Sequence, residues 1–166
     1  VVITYCSVFG KNECRNTFWC RVKLRSCSLV LGLCYRSPTS DAVNNGLLLE
    51  ALDKTMGIKN AQRVMIMGDF NYPAIDFGEC KVNAGEGSED YKFYSRLQKL
   101  FLVQNVTEPT RVRGGQESSV LDYIITDEDN LVDDLNYEVP MGKSEHVCLT
   151  WRLGLEGEER RQGPQE

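Results

Sequence analysis

The sequence predicts an α/β (α+β) protein organised as a layered sheet, on three observations. Strand-like runs outnumber helical ones; the run Val64-Met65-Ile66-Met67 is continuously apolar, as in a strand covered on both faces; and only two stretches carry apolar residues at helical spacing. The 166 residues are 42% hydrophobic and 26% charged, which suits one globular domain and excludes a collagen-like, low-complexity or wholly disordered chain.

The elements follow in order. A strand is expected over residues 1–9, opening on Val1-Val2-Ile3-Thr4-Tyr5-Cys6. It carries no initiator Met, basic leader or small-residue cleavage site, so it reads as a strand entered partway and the chain as a fragment. A second strand is expected over residues 18–24, where Arg21 and Lys23 alternate with apolar neighbours as on a sheet with one wet face, and a third over residues 28–35. The first helix runs from Asp41 as cap to about Gly57, with Val43, Leu47, Leu48, Ala51 and Leu52 on its apolar stripe. The apolar strand over residues 63–67 comes next. Residues 78–89, rich in glycine and charge, predict a surface loop. The second helix covers residues 90–101, capped by Ser88 or Asp90, with Tyr91, Tyr94, Leu97 and Phe101 as its stripe. A loop over residues 113–119 and strands over residues 120–126 and 147–153 complete a domain assigned to residues 1–153, followed by a polar, disordered tail over residues 154–166.

The net charge of −5 argues against a surface that grips nucleic acid all over. Residues 1–40 nevertheless carry Lys11, Arg15, Arg21, Lys23, Arg25 and Arg36 against the acid Glu13, while acids concentrate over residues 117–138 and in the tail. No apolar run approaches the ~20 residues of a membrane helix, so no membrane partner is expected. Seven cysteines without a Cys-x-x-Cys pair, and one histidine, argue against zinc and for reduced, mostly structural thiols, Cys20 and Cys34 behaving as small apolar residues.

Four short segments could carry chemistry. Gly68-Asp69-Phe70-Asn71-Tyr72-Pro73 ends the apolar strand with a carboxylate and a carboxamide two residues apart. Such a pair can activate water and contact a phosphate; read alone, it also suits a local Asx turn. In Val120-Leu121-Asp122-Tyr123-Ile124, alternation places an acid among apolar residues, where an ion needs a partner. Gly142-Lys143-Ser144-Glu145-His146 brings the chain's one imidazole to the start of the last strand. Gly32-Leu33-Cys34-Tyr35-Arg36-Ser37-Pro38 ends a strand with a phenol and a guanidinium, both able to hydrogen-bond phosphate.

Taken in order, Cys34-Tyr35-Arg36-x-Pro38, Gly68-Asp69-Phe70-Asn71, Leu121-Asp122-Tyr123 and Ser144-Glu145-His146 resemble the motif series of the endonuclease/exonuclease/phosphatase superfamily. Within it the chain is most similar to the apurinic-type endonuclease domain of non-LTR retrotransposons, whose phrasing is resembled also by Tyr72-Pro73-Ala74-Ile75-Asp76-Phe77, by Leu102-Val103-Gln104-Asn105-Val106-Thr107-Glu108-Pro109-Thr110-Arg111 and by Ile124-Ile125-Thr126. The resemblance covers residues 18–153 and implies a two-sheet sandwich flanked by helices. It implies that Asp69 aligns or activates the attacking water, Asn71 positions the scissile phosphate, Asp122 buttresses His146, His146 steadies charge on the phosphate and Tyr35 bonds the phosphate or the leaving oxygen. The implied reaction is DNA nicking assisted by Mg2+ or Mn2+, leaving a 3′-hydroxyl for target-primed reverse transcription by a reverse transcriptase domain on the same polyprotein, inside the cell and in the nucleus during action.

Two departures accompany the resemblance. Glu145 stands where the family has an Asp, which makes it the candidate metal ligand with a side chain one methylene longer. The Asn and metal-binding Glu that the family draws from its N-terminal part do not map onto this chain, where Glu13 stands in a different context. Arg36, Arg111 and Arg113 are the candidate substrate-binding residues of the hydrolytic reading. Two other readings stay open on the sequence: an inactive remnant acting, if at all, as a nucleic-acid or protein-binding module through the basic edge of residues 1–40 with Arg111 and Arg113, and a phosphatase or lipid phosphodiesterase of the same superfamily.

Overall fold

A computed structural model describes residues 2–5, 14–24, 27–58, 63–111 and 118–154. Its centre is a six-stranded sheet in the order β1-β2-β3-β4-β8-β7, formed by β1 (Val2–Tyr5), β2 (Thr17–Lys23), β3 (Ser28–Tyr35), β4 (Arg63–Asp69), β7 (Val103–Gln104) and β8 (Asp122–Thr126). β3 and β4 are parallel, joined across helix α1 (Ala42–Met56), whereas β8 runs antiparallel to β4. β5 (Ile75–Asp76) and β6 (Lys81–Val82) make a small hairpin ahead of helix α2 (Glu89–Lys99). β9 (Val132–Glu138) and β10 (Cys148–Leu153) pair as a separate two-stranded sheet.

Strand alternation sends successive side chains to opposite faces, and each face has its own core. Val30, Val64, Ile66, Tyr123 and Ile125 pack against Leu48 and Leu52 of α1 and Phe93 and Leu97 of α2. On the other face Leu29, Met65 and Ile124 pack with Leu135, Leu149 and Trp151 of the β9–β10 sheet. The molecule is therefore a sheet between helices and a second, smaller sheet, as the α/β (α+β) expectation requires. Val64–Met67 is covered on both sides because it lies in the middle of this stack.

Asp41 caps α1 by accepting from the Asn44 N–H at 2.8 Å, and Ser88 rather than Asp90 caps α2, accepting from the Tyr91 N–H at 3.1 Å. Other expectations are corrected. Val43 is 73% exposed, and the first turn of α1 instead buries Asn44 and Asn45. Phe101 lies past the end of α2, in a left-handed conformation (φ 54°), and is 86% exposed, while Phe93 takes the buried stripe with Leu97. Residues 78–89 are not all loop, since β6 falls within them. β9 was not expected: its sequence Val-Asp-Asp-Leu-Asn-Tyr-Glu is too acidic to read as a strand, and it folds as one because half its side chains point to solvent. The expected strand over residues 6–9, the loop over residues 113–117 and the tail over residues 155–166 lie outside the described residues.

Candidate functional site

The strand register assembles the site. Tyr35 at the end of β3 stands opposite Asp69 at the end of β4, and Asp69 stands opposite Asp122 at the start of β8. By alternation all three share the face that carries Leu29, Met65 and Ile124, so a phenol and two carboxylates form one row across three strands. Gly68 is what lets β4 run this close to β3: its φ is +138°, and a Cβ there would lie 1.9 Å from the Cys34 carbonyl oxygen.

Beyond Asp69 the chain turns sharply through Asn71, which is left-handed at φ 50°. Phe70 N–H donates to the Leu121 carbonyl at 2.8 Å, tying the turn to β8. On the helix face, fully buried Phe70 stacks on Tyr123 at 5.2 Å, Tyr72 stacks on Phe93 at 4.4 Å, and the Tyr123 hydroxyl donates to the Tyr72 carbonyl at 3.0 Å. The aromatic residues of the Asp-Phe-Asn-Tyr run are thus the anchors and the polar ones the working face. Asn71 Nδ2 donates to Asp69 Oδ1 at 2.7 Å and to the Arg36 carbonyl at 2.9 Å. Both partners can only accept, so the amide hydrogens are engaged and Oδ1 is the atom left to face a ligand.

His146 enters from the other side. Its Nδ1 lies 2.7 Å from Asp122 Oδ2, which fixes the ring with Nδ1–H toward the carboxylate and Nε2 outward. Among the described residues, Asp69, Asp122 and His146 form the group that could hold a metal ion, with their ligand atoms within 4.8 Å of one another. Burial pushes the Asp69 carboxyl up, and the neighbouring Asp122 charge pushes it further, against the opposing pull of His146 and the Asn71 hydrogen bonds. Two carboxylates crowded into one partly buried row are deficient in positive charge. Their hard oxygens suit Mg2+ or Mn2+, whereas the imidazole nitrogen suits neither well and is already turned to Asp122. The residues present fit a divalent cation held on the carboxylates of Asp69 and Asp122.

Other expected site residues lie elsewhere. Arg36 is only 6% exposed; its Nε donates to Asn45 Oδ1 at 2.9 Å and one Nη to the Asn71 carbonyl at 2.9 Å, and its guanidinium lies 4.1 Å from the centre of the Tyr72 ring. Its backbone N–H also donates to the Asp69 carbonyl at 2.8 Å. The expectation that Arg36 grips phosphate is corrected: it braces the 69–72 turn from beneath. Glu145 does not join the metal-capable group; its Oε2 accepts from Arg111 Nε at 3.2 Å and Nη2 at 2.9 Å. Arg113 lies outside the described residues, and Tyr35 is half-exposed at the rim.

Sequence reasoning missed Thr110 and Asn45. Thr110 is fully buried, and its Oγ1 accepts from the N–H groups of Leu121 and Asp122, each at 3.0 Å. A threonine followed by Arg in a loop carries no signal of that role, nor does an Asn inside a helix. Burial drives the Cys34 thiol well above its ordinary range, so this cysteine below the row stays protonated and inert. Among the described residues the cysteines are free.

The profile of the endonuclease-reverse transcriptase family matches residues 29–150, which include every residue of this site. No match is found among curated proteins. Among solved structures, the endonuclease domain of TRAS1, a telomere-specific non-LTR retrotransposon, aligns over 93% of this chain and 69% of its own at 19% identity and a TM-score of 0.67. An endonuclease/exonuclease/phosphatase family protein from Leptotrichia buccalis aligns over 84% of this chain and 53% of its own at 15% identity and a TM-score of 0.56. The 3′-5′ exonuclease NExo from Neisseria meningitidis aligns over 82% and 65% at 12% identity and a TM-score of 0.54. These likenesses show a shared fold, of which the chain spans between about half and about two thirds in each neighbour's length.

Proposed function

Since this chain belongs to the endonuclease-reverse transcriptase family, matched over residues 29–150, we propose that it carries the phosphodiester-cleaving centre of a retrotransposon endonuclease that nicks DNA for target-primed reverse transcription. The observation that carries this reading is the convergence of Asp69, Asp122 and His146 from β4, β8 and the approach to β10, with the imidazole 2.7 Å from Asp122.

The roles follow from the atoms. Asp69, held by Asn71 and crowded by Asp122, is the base that orients and deprotonates the attacking water. His146, kept in one tautomer by Asp122, directs Nε2 to the phosphoryl oxygens and in its protonated form donates to them as negative charge builds. Asn71 fixes the Asp69 carboxylate through Nδ2, and rim Tyr35 bonds the phosphate or the leaving oxygen. Asp69 and Asp122 would hold a divalent cation, Mg2+ or Mn2+, which would supply Lewis-acid polarisation of the phosphate. The reverse transcriptase partner on the polyprotein and nuclear action belong to the same proposal.

Nicking of supercoiled plasmid tests it. We expect relaxation in Mg2+, none in chelator, and loss of at least about a hundredfold in Asp69→Ala and in His146→Ala. Relaxation that is insensitive to both substitutions rejects the assignment, and turnover of a phosphoinositide in preference to plasmid would move the substrate to lipid.

A further inference from the structure

The Glu at position 145 leads to a role that the hydrolytic reading does not assign. Arg111 lies between the two segments that deliver the Asp122–His146 pair. Its backbone bridges to Ser119 on one side, upstream of Asp122, and to His146 on the other. Next to it, Val147 N–H donates to the Thr110 carbonyl at 2.9 Å. A backbone bridge sets how far apart two segments lie but leaves rotation about that point undetermined. The Arg111 guanidinium supplies a second attachment one residue away, with Nε at 3.2 Å and Nη2 at 2.9 Å from Glu145 Oε2. A planar guanidinium meeting a carboxylate oxygen with two N–H groups fixes direction as well as distance. Both side chains are partly exposed, and each is engaged by the other as an ion pair at 2.9 Å.

We propose that Arg111 and Glu145 are a positioning pair that sets the angle at which His146 meets Asp122. This rests on the hydrolytic reading of the site, and the test separates the two. The chain has one histidine, so the ring 1H–13C signals of the labelled protein belong to His146 alone. At fixed pH, Arg111→Met and Glu145→Gln move these signals toward those of Asp122→Asn. Each also lowers the plasmid-nicking rate on the order of tenfold, with KM changed by less than about twofold. The exchange Arg111→Glu with Glu145→Arg restores both readouts. Should the exchange fail to give a cooperative thermal transition, Glu145→Asp replaces it, with ring signals and rate intermediate between wild type and Glu145→Gln. Ring signals unmoved in folded single variants overturn the positioning pair whether or not the protein nicks DNA. Signals that move in a protein whose wild type does not nick support the pair and remove the hydrolytic reading instead.

Discussion

The surroundings of Asp69 work against its charge. Burial and the Asp122 charge both raise its carboxyl above the ordinary value, so the folded state holds this proton more tightly than the unfolded chain does. Between the two titrations folding becomes less favourable as pH rises, and the cost is complete once the pH has passed the folded-state titration. Asp69→Asn is therefore expected to raise Tm at pH 7 by about 2 °C or more while abolishing nicking, and the gain should vanish below the ordinary carboxylate range. Thermal denaturation of both proteins from about pH 3 to about pH 8, a window that spans the carboxylate titrations, checks the sign. Gly68→Ala should behave oppositely: its Cβ would meet the Cys34 carbonyl oxygen at φ +138°, at a cost of about 3 kcal/mol or more, measurable by chemical denaturation. At this scale the Gly-Asp-Phe-Asn run was legible only in series with the other three motifs, because alone an acid and an amide at a strand end suit a local Asx turn equally well. Arg36 and Glu145 were not. A charged residue type does not reveal whether its charge faces a ligand, and both spend theirs on neighbours within the fold.

The elements that hold the site depend on polar contacts more than on propensity. Thr110 links the segment beside His146 to the start of β8 by accepting two backbone N–H groups at once. Thr110→Val removes that shared acceptor without changing shape and should cost about 2 kcal/mol, whereas Thr110→Ser should be nearly neutral; urea denaturation distinguishes them. The first turn of α1 buries Asn44 and Asn45, and Asn45 meets the guanidinium that supports the Asn71 turn. Arg36→Lys keeps the charge but cannot span Asn45 and the Asn71 carbonyl together, so a fall in kcat of about tenfold with little change in KM is expected from steady-state nicking assays. The stripe of α1 was misplaced at Val43 because hydropathy periodicity cannot count an Asn that is buried for its hydrogen bonds. β9 was hidden for the converse reason, since a strand with one wet, acidic face resembles a loop.

Across the whole molecule, the sheet separates two tasks. Its helix face carries the aromatic packing that anchors the Asp69–Asn71 turn, and its other face presents the row of Tyr35, Asp69 and Asp122. That second face is covered by β9 and β10 near β4 and β8, but toward β2 it leaves Phe18 at 50%, Leu33 at 43% and Tyr35 at 51% exposed. An exposed apolar group of this kind favours association. Sedimentation velocity of the chain should show concentration-dependent self-association, and a monomer at all concentrations with a sharp thermal transition would count against it. The layered architecture was legible because strand and helix periods are local, whereas the meeting of residues 69, 122 and 146 followed only from the likeness of their motifs. The proposed chemistry requires that Asp69 and Asp122 hold a cation beside the His146 ring. Paramagnetic broadening of the His146 ring signals by Mn2+ tests this most directly. Broadening at micromolar to millimolar Mn2+ in the wild type, lost in Asp69→Asn, is the predicted result; signals left sharp in the wild type, or broadened equally in the variant, would contradict it.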